Sequence, residues 1–241
     1  MAQRLQSSAA PNAGAWLTVI PSSSELTLTD QEFRAACRLR LGLVPSSSLP
    51  RRCVCNSSFD DPLHFYSWLL KRKEITVRHD AIVRLLARWF RVAGAVVHVE
   101  PRVFDTVRLR PDLEVILPDG VLLVDVTVVH PASPSNLVTR ALATAQSAER
   151  KKRTKYNQFA RARGATMFGF AIETFGAFGP DAQTVLQRLE VAAAASAVDP
   201  SRFSRELVAQ TFSVALQKGN ALVALGGALA TRAAALARAD S

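Results

Sequence analysis

The stretch RPDLEVILPDGVLLVDVTVV, residues 110–129, decides how the rest of the chain is read. LEVIL at 113–117 and VLLVDVTVV at 121–129 are rich in β-branched and apolar residues, which predicts two strands. Between them Pro118, Asp119 and Gly120 place proline and glycine where a tight reversal needs them, so the strands are expected to pair as a hairpin. Their near-continuous apolar character predicts burial on both faces of the sheet. Asp112 stands at the mouth of the first strand and Asp125 lies inside the second. An unpaired carboxylate buried within VLLVDVTVV would be strongly destabilising, so Asp125 is expected to have a partner or a metal.

Upstream of the hairpin, Ile82, Leu85, Leu86, Trp89 and Phe90 recur at helical spacing on one face of the segment 77–93, with Arg84, Arg88 and Arg91 elsewhere. This predicts a helix lying on a sheet. AVVHVE at 95–100 reads as a strand and residues 107–110 as a second, edge-like one. Downstream, a long helix is expected over 136–163, ended by Gly164, followed by a strand at 165–174. Helices are then expected at 181–196, at 201–218 and in an Ala-rich stretch to about residue 238. Near the start, Thr29 and Glu32 form a capping-box pattern ahead of a helix with Phe33, Cys37 and Leu41 that ends by Gly42. PSSSLPRR at 45–52 reads as a linker, and Asp61-Pro62 opens a short helix carrying Leu63, Tyr66 and Leu70. The order of elements implies an α/β fold, a mixed sheet with helices on its faces.

With 241 residues and 49% hydrophobic composition the chain has ample material for a packed core. Thirty Lys and Arg against 20 Asp and Glu leave a formal charge of +10, which favours a polyanionic partner, most commonly nucleic acid. Three cysteines cannot build a disulfide framework, which points to a reducing compartment, nucleus or cytoplasm. The first residues contain no apolar stretch fit for a secretion signal. Ala221 to Ala230 is about half the ~20 apolar residues that a membrane span requires, so no membrane partner is expected.

The residues that carry chemistry follow from the hairpin. In an antiparallel pair, a residue before one strand and a residue well into the other converge at one end of the sheet. Asp112 and Asp125 would there form an oxygen-rich site for Mg²⁺ or Mn²⁺, and such a metal activates water and neutralises charge on a phosphate. Separately, Cys53, Cys55 and His64 follow the order of the first three ligands of a Cys, Cys, His, Cys zinc knuckle whose fourth ligand is missing. Either Cys37, His79 or Asp61 substitutes as a ligand, or the region is a degenerate knuckle held by Phe65, Tyr66 and Trp68.

The segment RPDLEVILPDGVLLVDVTVV resembles the PD-(D/E)XK core of the restriction-like endonuclease domain of site-specific non-LTR retrotransposons, in which Pro-Asp is followed about a dozen residues later by a second acid. GAWLTVIP, FRAACRLRLGL, the Cys53 to His64 stretch, VRHD at 77–80, HVEPR at 98–102, KKRTKY at 151–156 and ETFGAFG at 173–179 resemble consecutive blocks of the same elements, over roughly residues 14–195. The resemblance implies a metal-dependent DNA endonuclease that nicks a strand, with RNA or a reverse transcriptase as further partners. Where the general nuclease pattern has a lysine two residues after the second acid, this chain has Thr127. The type resembled here carries that lysine on the following helix, where Lys152 and Lys155 are the candidates, on a stripe with Ala148 and Phe159 and with Tyr156 beside it. It also implies that Arg78 and His79 border the site, and Glu100 is a third carboxylate for the metal or a surface acid at a strand end. Arg110, Lys151 and Tyr156 join Arg78 and His79 as expected DNA contacts.

The chain is thus expected to comprise a disordered tail at 1–14, a helical and degenerate zinc-knuckle region at 15–72, a restriction-like core at 73–196 and a C-terminal helical segment at 197–241. Two other classes compete with the enzyme: a nuclease-derived DNA-binding module without turnover, and a structural domain whose charge is incidental.

Overall fold

The structure is a computed structural model that describes residues 2–44, 72–102, 109–131, 142–199 and 202–239. The hairpin forms where its sequence places it. β2 (Leu113–Leu117) and β3 (Gly120–Val129) pair antiparallel around the reversal at Pro118 and Asp119, with Leu117 facing Gly120. β1 (Val96–Val99) adds antiparallel to β2, and β4 (Ala165–Glu173) runs parallel to β3, giving one mixed sheet in the order β1-β2-β3-β4. A parallel neighbour requires a crossover, and the chain between β3 and β4 contains the helix α4 (Ala143–Ala162).

Both faces of the sheet are covered, as the apolar run of β3 requires. Alternation sends Leu122, Val124 and Val126 into the main core, with Leu113 and Val115 of β2 and Phe170 and Ile172 of β4. Helices α3 (Arg72–Val92), α5 (Pro180–Ala195) and α6 (Arg205–Ala239) close that core with Ile82, Leu86, Phe90, Val185, Leu189 and Phe212. Leu123 points the other way, onto Tyr156 and Ala160 of α4. α3 is the helix expected to lie on a sheet, and its apolar stripe carries Ile82, Leu86 and Phe90 fully buried.

Three expectations are corrected. The segment 1–14, expected as a tail, carries helix α1 (Ala2–Ser8), and Ser7 and Ala13 are buried. Ala13 packs on Gly176, whose left-handed φ of 105° and lack of a side chain admit it. The two C-terminal helices expected at 201–218 and beyond are one continuous helix, α6. Gly219 does not interrupt it, because the glycine is there for space: a Cβ at this position would collide with the stem of Arg78. Phe212 of α6 belongs to the main core, so this helix covers that core. Of the strand expected at 107–110, Leu109 and Arg110 are described and lie outside any strand.

Helix α2 (Asp30–Arg40) has the expected capping box, Thr29 Oγ1 accepting from the Glu32 N–H while the Glu32 carboxylate accepts from the Thr29 N–H at 2.8 Å. It ends at Leu41, ahead of Gly42 at φ 75°. The linker at 45–52, the short helix after Asp61 and the zinc-knuckle residues Cys53, Cys55 and His64 lie outside the described residues, as does the first part of the helix expected from 136.

Candidate functional site

The register that builds the sheet also assembles one row of residues across it. Leu113 faces Val124, so one step further along each strand Asp112 stands opposite Asp125. Val99 faces Leu113, which puts Glu100 opposite Asp112, and the Glu100 N–H donates to the Asp112 carbonyl at 2.8 Å. On the far side Asp125 faces Gly169 of β4. Because side chains alternate with a period of two, Asp125 shares the α4 face with Leu123.

Asp125 is buried, at 4% exposure, and forms an ion pair with the Lys152 ammonium of α4. This is the partner that its place inside an apolar strand demands. Asp112 Oδ2 accepts the Val126 N–H at 2.6 Å, so the carboxylate continues the ladder beyond the first residue of β2. The same oxygen lies 3.2 Å from His79 Nε2, while His79 Nδ1 lies 3.0 Å from Asp80 Oδ1. An imidazole with a carboxylate at each nitrogen is best satisfied as the doubly protonated cation. The Asp112 hydrogen bond, opposed by burial and helped by Asp80, accordingly raises the His79 pKa to about 9.

Tyr156 closes the floor. Its ring is buried against Leu123, and its hydroxyl donates to the Arg110 carbonyl at 3.0 Å. Burial first, then the adjacent Asp125 and Asp112 carboxylates, push its phenol pKa upward. Both acids therefore lie within electrostatic reach of one hydroxyl. Lys155 is exposed, donates to the Tyr156 hydroxyl at 3.2 Å and sits 4.7 Å over the ring centroid. Of the two lysines considered for the site, it is Lys152 that meets an acid.

Other expected site residues are distributed differently. Glu100 adopts a left-handed φ of 47° and is exposed, so its backbone joins the row while its side chain is outside. Arg110 and Lys151 are exposed. Arg78 and Tyr156, expected as DNA contacts, are both buried: Arg78 is 3% exposed and donates to Asn220 Oδ1 of α6 at 2.8 Å. The charge of Arg78 is spent inside the protein, where Asn220 also donates to the Thr174 carbonyl at 2.8 Å and His130 Nδ1 meets Thr174 Oγ1 at 2.7 Å. Cys37, considered as a fourth zinc ligand, is packed near Trp16, Ala36 and Val214, where burial pushes its thiol pKa up.

The inward stripe of α4 is Ala145, Glu149, Lys152, Tyr156 and Ala160; it shares Lys152 with the expected stripe but has Glu149, Tyr156 and Ala160 where Ala148, Lys155 and Phe159 are expected. Glu149, 1% exposed, is not marked by the sequence, because a carboxylate at a core-facing position looks out of place. Its acceptance of the Ala182 N–H at 3.1 Å, at the first turn of α5, accounts for it. Glu114 is a second acid at the site that the sequence reading does not single out. It shares the face of Asp112 two residues on, and its carboxylate meets His98 Nδ1 at 2.8 Å and Arg163 at 3.5 Å. The period of two from Asp112 was the available signal.

Among the described residues no group of three or more His, Cys, Asp or Glu side chains is arranged to hold a metal ion. Asp112 and Asp125 are a two-carboxylate set of hard oxygens, which suits Mg²⁺ or Mn²⁺ completed by water and a substrate phosphate. That the pair attracts two cationic side chains, His79 and Lys152, is the same electrostatic demand met by protein groups.

No family model and no curated protein matches this chain. The geometry therefore stands as the ground for a functional reading. No helix among the described residues is long and apolar enough to cross a membrane.

Proposed function

We propose that the chain is a metal-dependent DNA endonuclease of the PD-(D/E)XK restriction-like type, which hydrolyses a phosphodiester and nicks a strand. The observation that carries this reading is the placing of Asp112 and Asp125 opposite one another, with the Lys152 amine on Asp125. Asp112 and Asp125 would hold Mg²⁺ or Mn²⁺, which supplies an activated water and charge neutralisation at the phosphate. Lys152, released from part of its pairing when the acids are otherwise satisfied, orients the attacking water and stabilises charge developing on the phosphate. Tyr156 fixes the floor between the acids and the Arg110 backbone. The His79 cation holds Asp112 in place and adds positive charge beside it. Exposed Arg110, Lys151 and Lys155 would bind flanking backbone phosphates, in keeping with a chain of net charge +10.

The resemblance extends the proposal to a nick whose 3′ hydroxyl primes reverse transcription, with RNA or a reverse transcriptase as partner and the nucleus or cytoplasm as location. A second reading, a DNA-binding module without turnover, is favoured by one observation: both acids already carry protein cations. Supercoiled plasmid incubated with Mg²⁺ or Mn²⁺ separates the two. Wild type should nick, with Asp125→Asn and Asp112→Asn reduced by at least a hundredfold and all retaining DNA. Equal nicking by wild type and Asp125→Asn would remove the site assignment, and salt-sensitive retention with no nicking would leave the binding module.

A further inference from the structure

We infer that Glu149, seated against Gly169 and Gly179, is a positioning residue that sets where the Lys152 amine stands relative to Asp125. The assignment of a catalytic consequence rests on the endonuclease reading above; the placement itself does not.

Gly169 is the residue of β4 that faces Asp125. A Cβ added there would come within 2.6 Å of Glu149 Cα and 3.1 Å of its carbonyl oxygen, both backbone atoms that cannot swing aside. The missing side chain thus lets α4 press onto the sheet beside the buried acid. At Gly179 a Cβ would collide with the Glu149 carboxylate, so a second glycine opens the space for the head of the same residue. The carboxylate accepts the Ala182 N–H at 3.1 Å, and the Asp181 and Ala171 N–H groups also donate to it. Glu149 therefore ties α4 to the first turn of α5 and to β4 at once. Asp181 adds a parallel tie, accepting the Gly169 N–H at 3.2 Å while pairing with Arg153 of α4.

These ties flank Lys152 on its own helix, Glu149 one turn before it and Arg153 directly after. Residues three apart share a helix face, so fixing Glu149 against Gly169 fixes the direction in which Lys152 leaves the helix. A flexible four-carbon stem would otherwise let the amine drift into solvent, since Lys152 is partly exposed. A purely structural role for Glu149 predicts lower stability and nothing about the amine, whereas a positioning role predicts that the amine moves in folded protein.

Acetic anhydride labelling of the full chain, read by mass spectrometry at Lys152 with exposed Lys151 as internal reference, tests this. In wild type Lys152 should label severalfold more slowly than Lys151, and Asp125→Asn should abolish that protection. Gly169→Ala and Glu149→Ala should bring Lys152 to the rate of Lys151, while Glu149→Gln, which keeps an acceptor for the α5 N–H groups, should preserve the protection. Glu149→Asp, one methylene short, should give an intermediate rate and decides the question if Gly169→Ala does not fold. Lys152 protected as in wild type in folded Glu149→Ala or Glu149→Asp overturns the inference. In nicking assays Gly169→Ala and Glu149→Ala should lose roughly tenfold to a hundredfold in kcat with DNA retention unchanged, and Glu149→Gln should nick as wild type does. Absence of nicking in wild type would sink the endonuclease reading alone, because the labelling result stands without it.

Discussion

Replacing Glu149 by Gln isolates the electrostatics of a carboxyl placed in the interior. Burial, the largest influence, outweighs the N–H groups that the carboxylate accepts and raises its pKa from the ordinary 4.5 to about 7. The folded chain therefore binds this proton more tightly than the unfolded chain does. Stability from this group is greatest below pH 4.5, falls as pH rises toward 7 and is level above it. The ionised form in the fold is disfavoured by about 3 kcal/mol, from the separation of the two pKa values. Glu149→Gln cannot ionise, so its stability relative to wild type should climb by about 2–3 kcal/mol between pH 4.5 and pH 8. Urea unfolding of both proteins across that range, followed by fluorescence of the buried Trp16 and Trp89, measures the difference directly. A difference that stays constant with pH would refute the assignment of a proton to Glu149 in the fold.

Other perturbations have equally definite outcomes. The His79 imidazole should titrate near pH 9 by NMR, and Asp112→Asn should return it toward 6.5; stability from the His79–Asp112 contact is complete below pH 6.5 and lost as pH rises through 9. Lys152→Ala leaves the Asp125 carboxylate buried without its cation and should lower the unfolding free energy by about 2 kcal/mol, most of it recovered in the Asp125→Asn, Lys152→Ala double variant. Gly219→Ala sets a methyl group against the buried stem of Arg78 and should cost about 1–3 kcal/mol, visible as a lower Tm with the helical circular dichroism retained.

The parts of the fold that were legible in the sequence are those whose cause is local. Pro118 to Gly120 reverses the chain by its own backbone preferences, Thr29 and Glu32 cap one another three residues apart, and the Ile82 to Phe90 stripe of α3 needs only the helical period. The facing of Asp112 and Asp125 is legible for the same reason, since a two-residue reversal fixes the register of every residue in the hairpin. What escaped depends on distant partners. Gly219 resembles a helix break until Arg78, 141 positions earlier, is seen to occupy its side. Glu149 breaks the apolar stripe of α4 and hides its phase, because the Ala182 N–H that satisfies it arrives from α5, the next helix beyond β4. Ser7 and Ala13 are small residues in a polar stretch, and composition does not show that Gly176 leaves room for Ala13. Arg78 is expected from the sequence as a DNA contact because its charge is evident and its acceptor, Asn220, is not.

Asp112 and Asp125 are proposed to grip a divalent cation jointly. Crystals grown in Mn²⁺ and measured at an anomalous wavelength test it most directly. The proposed site should give an anomalous peak with an oxygen of each carboxylate at about 2.1 Å, and the Lys152 ammonium should turn from Asp125 toward the coordinated water. Anomalous density elsewhere, with Asp125 still paired to Lys152 and Asp112 to His79 at saturating Mn²⁺, would contradict it.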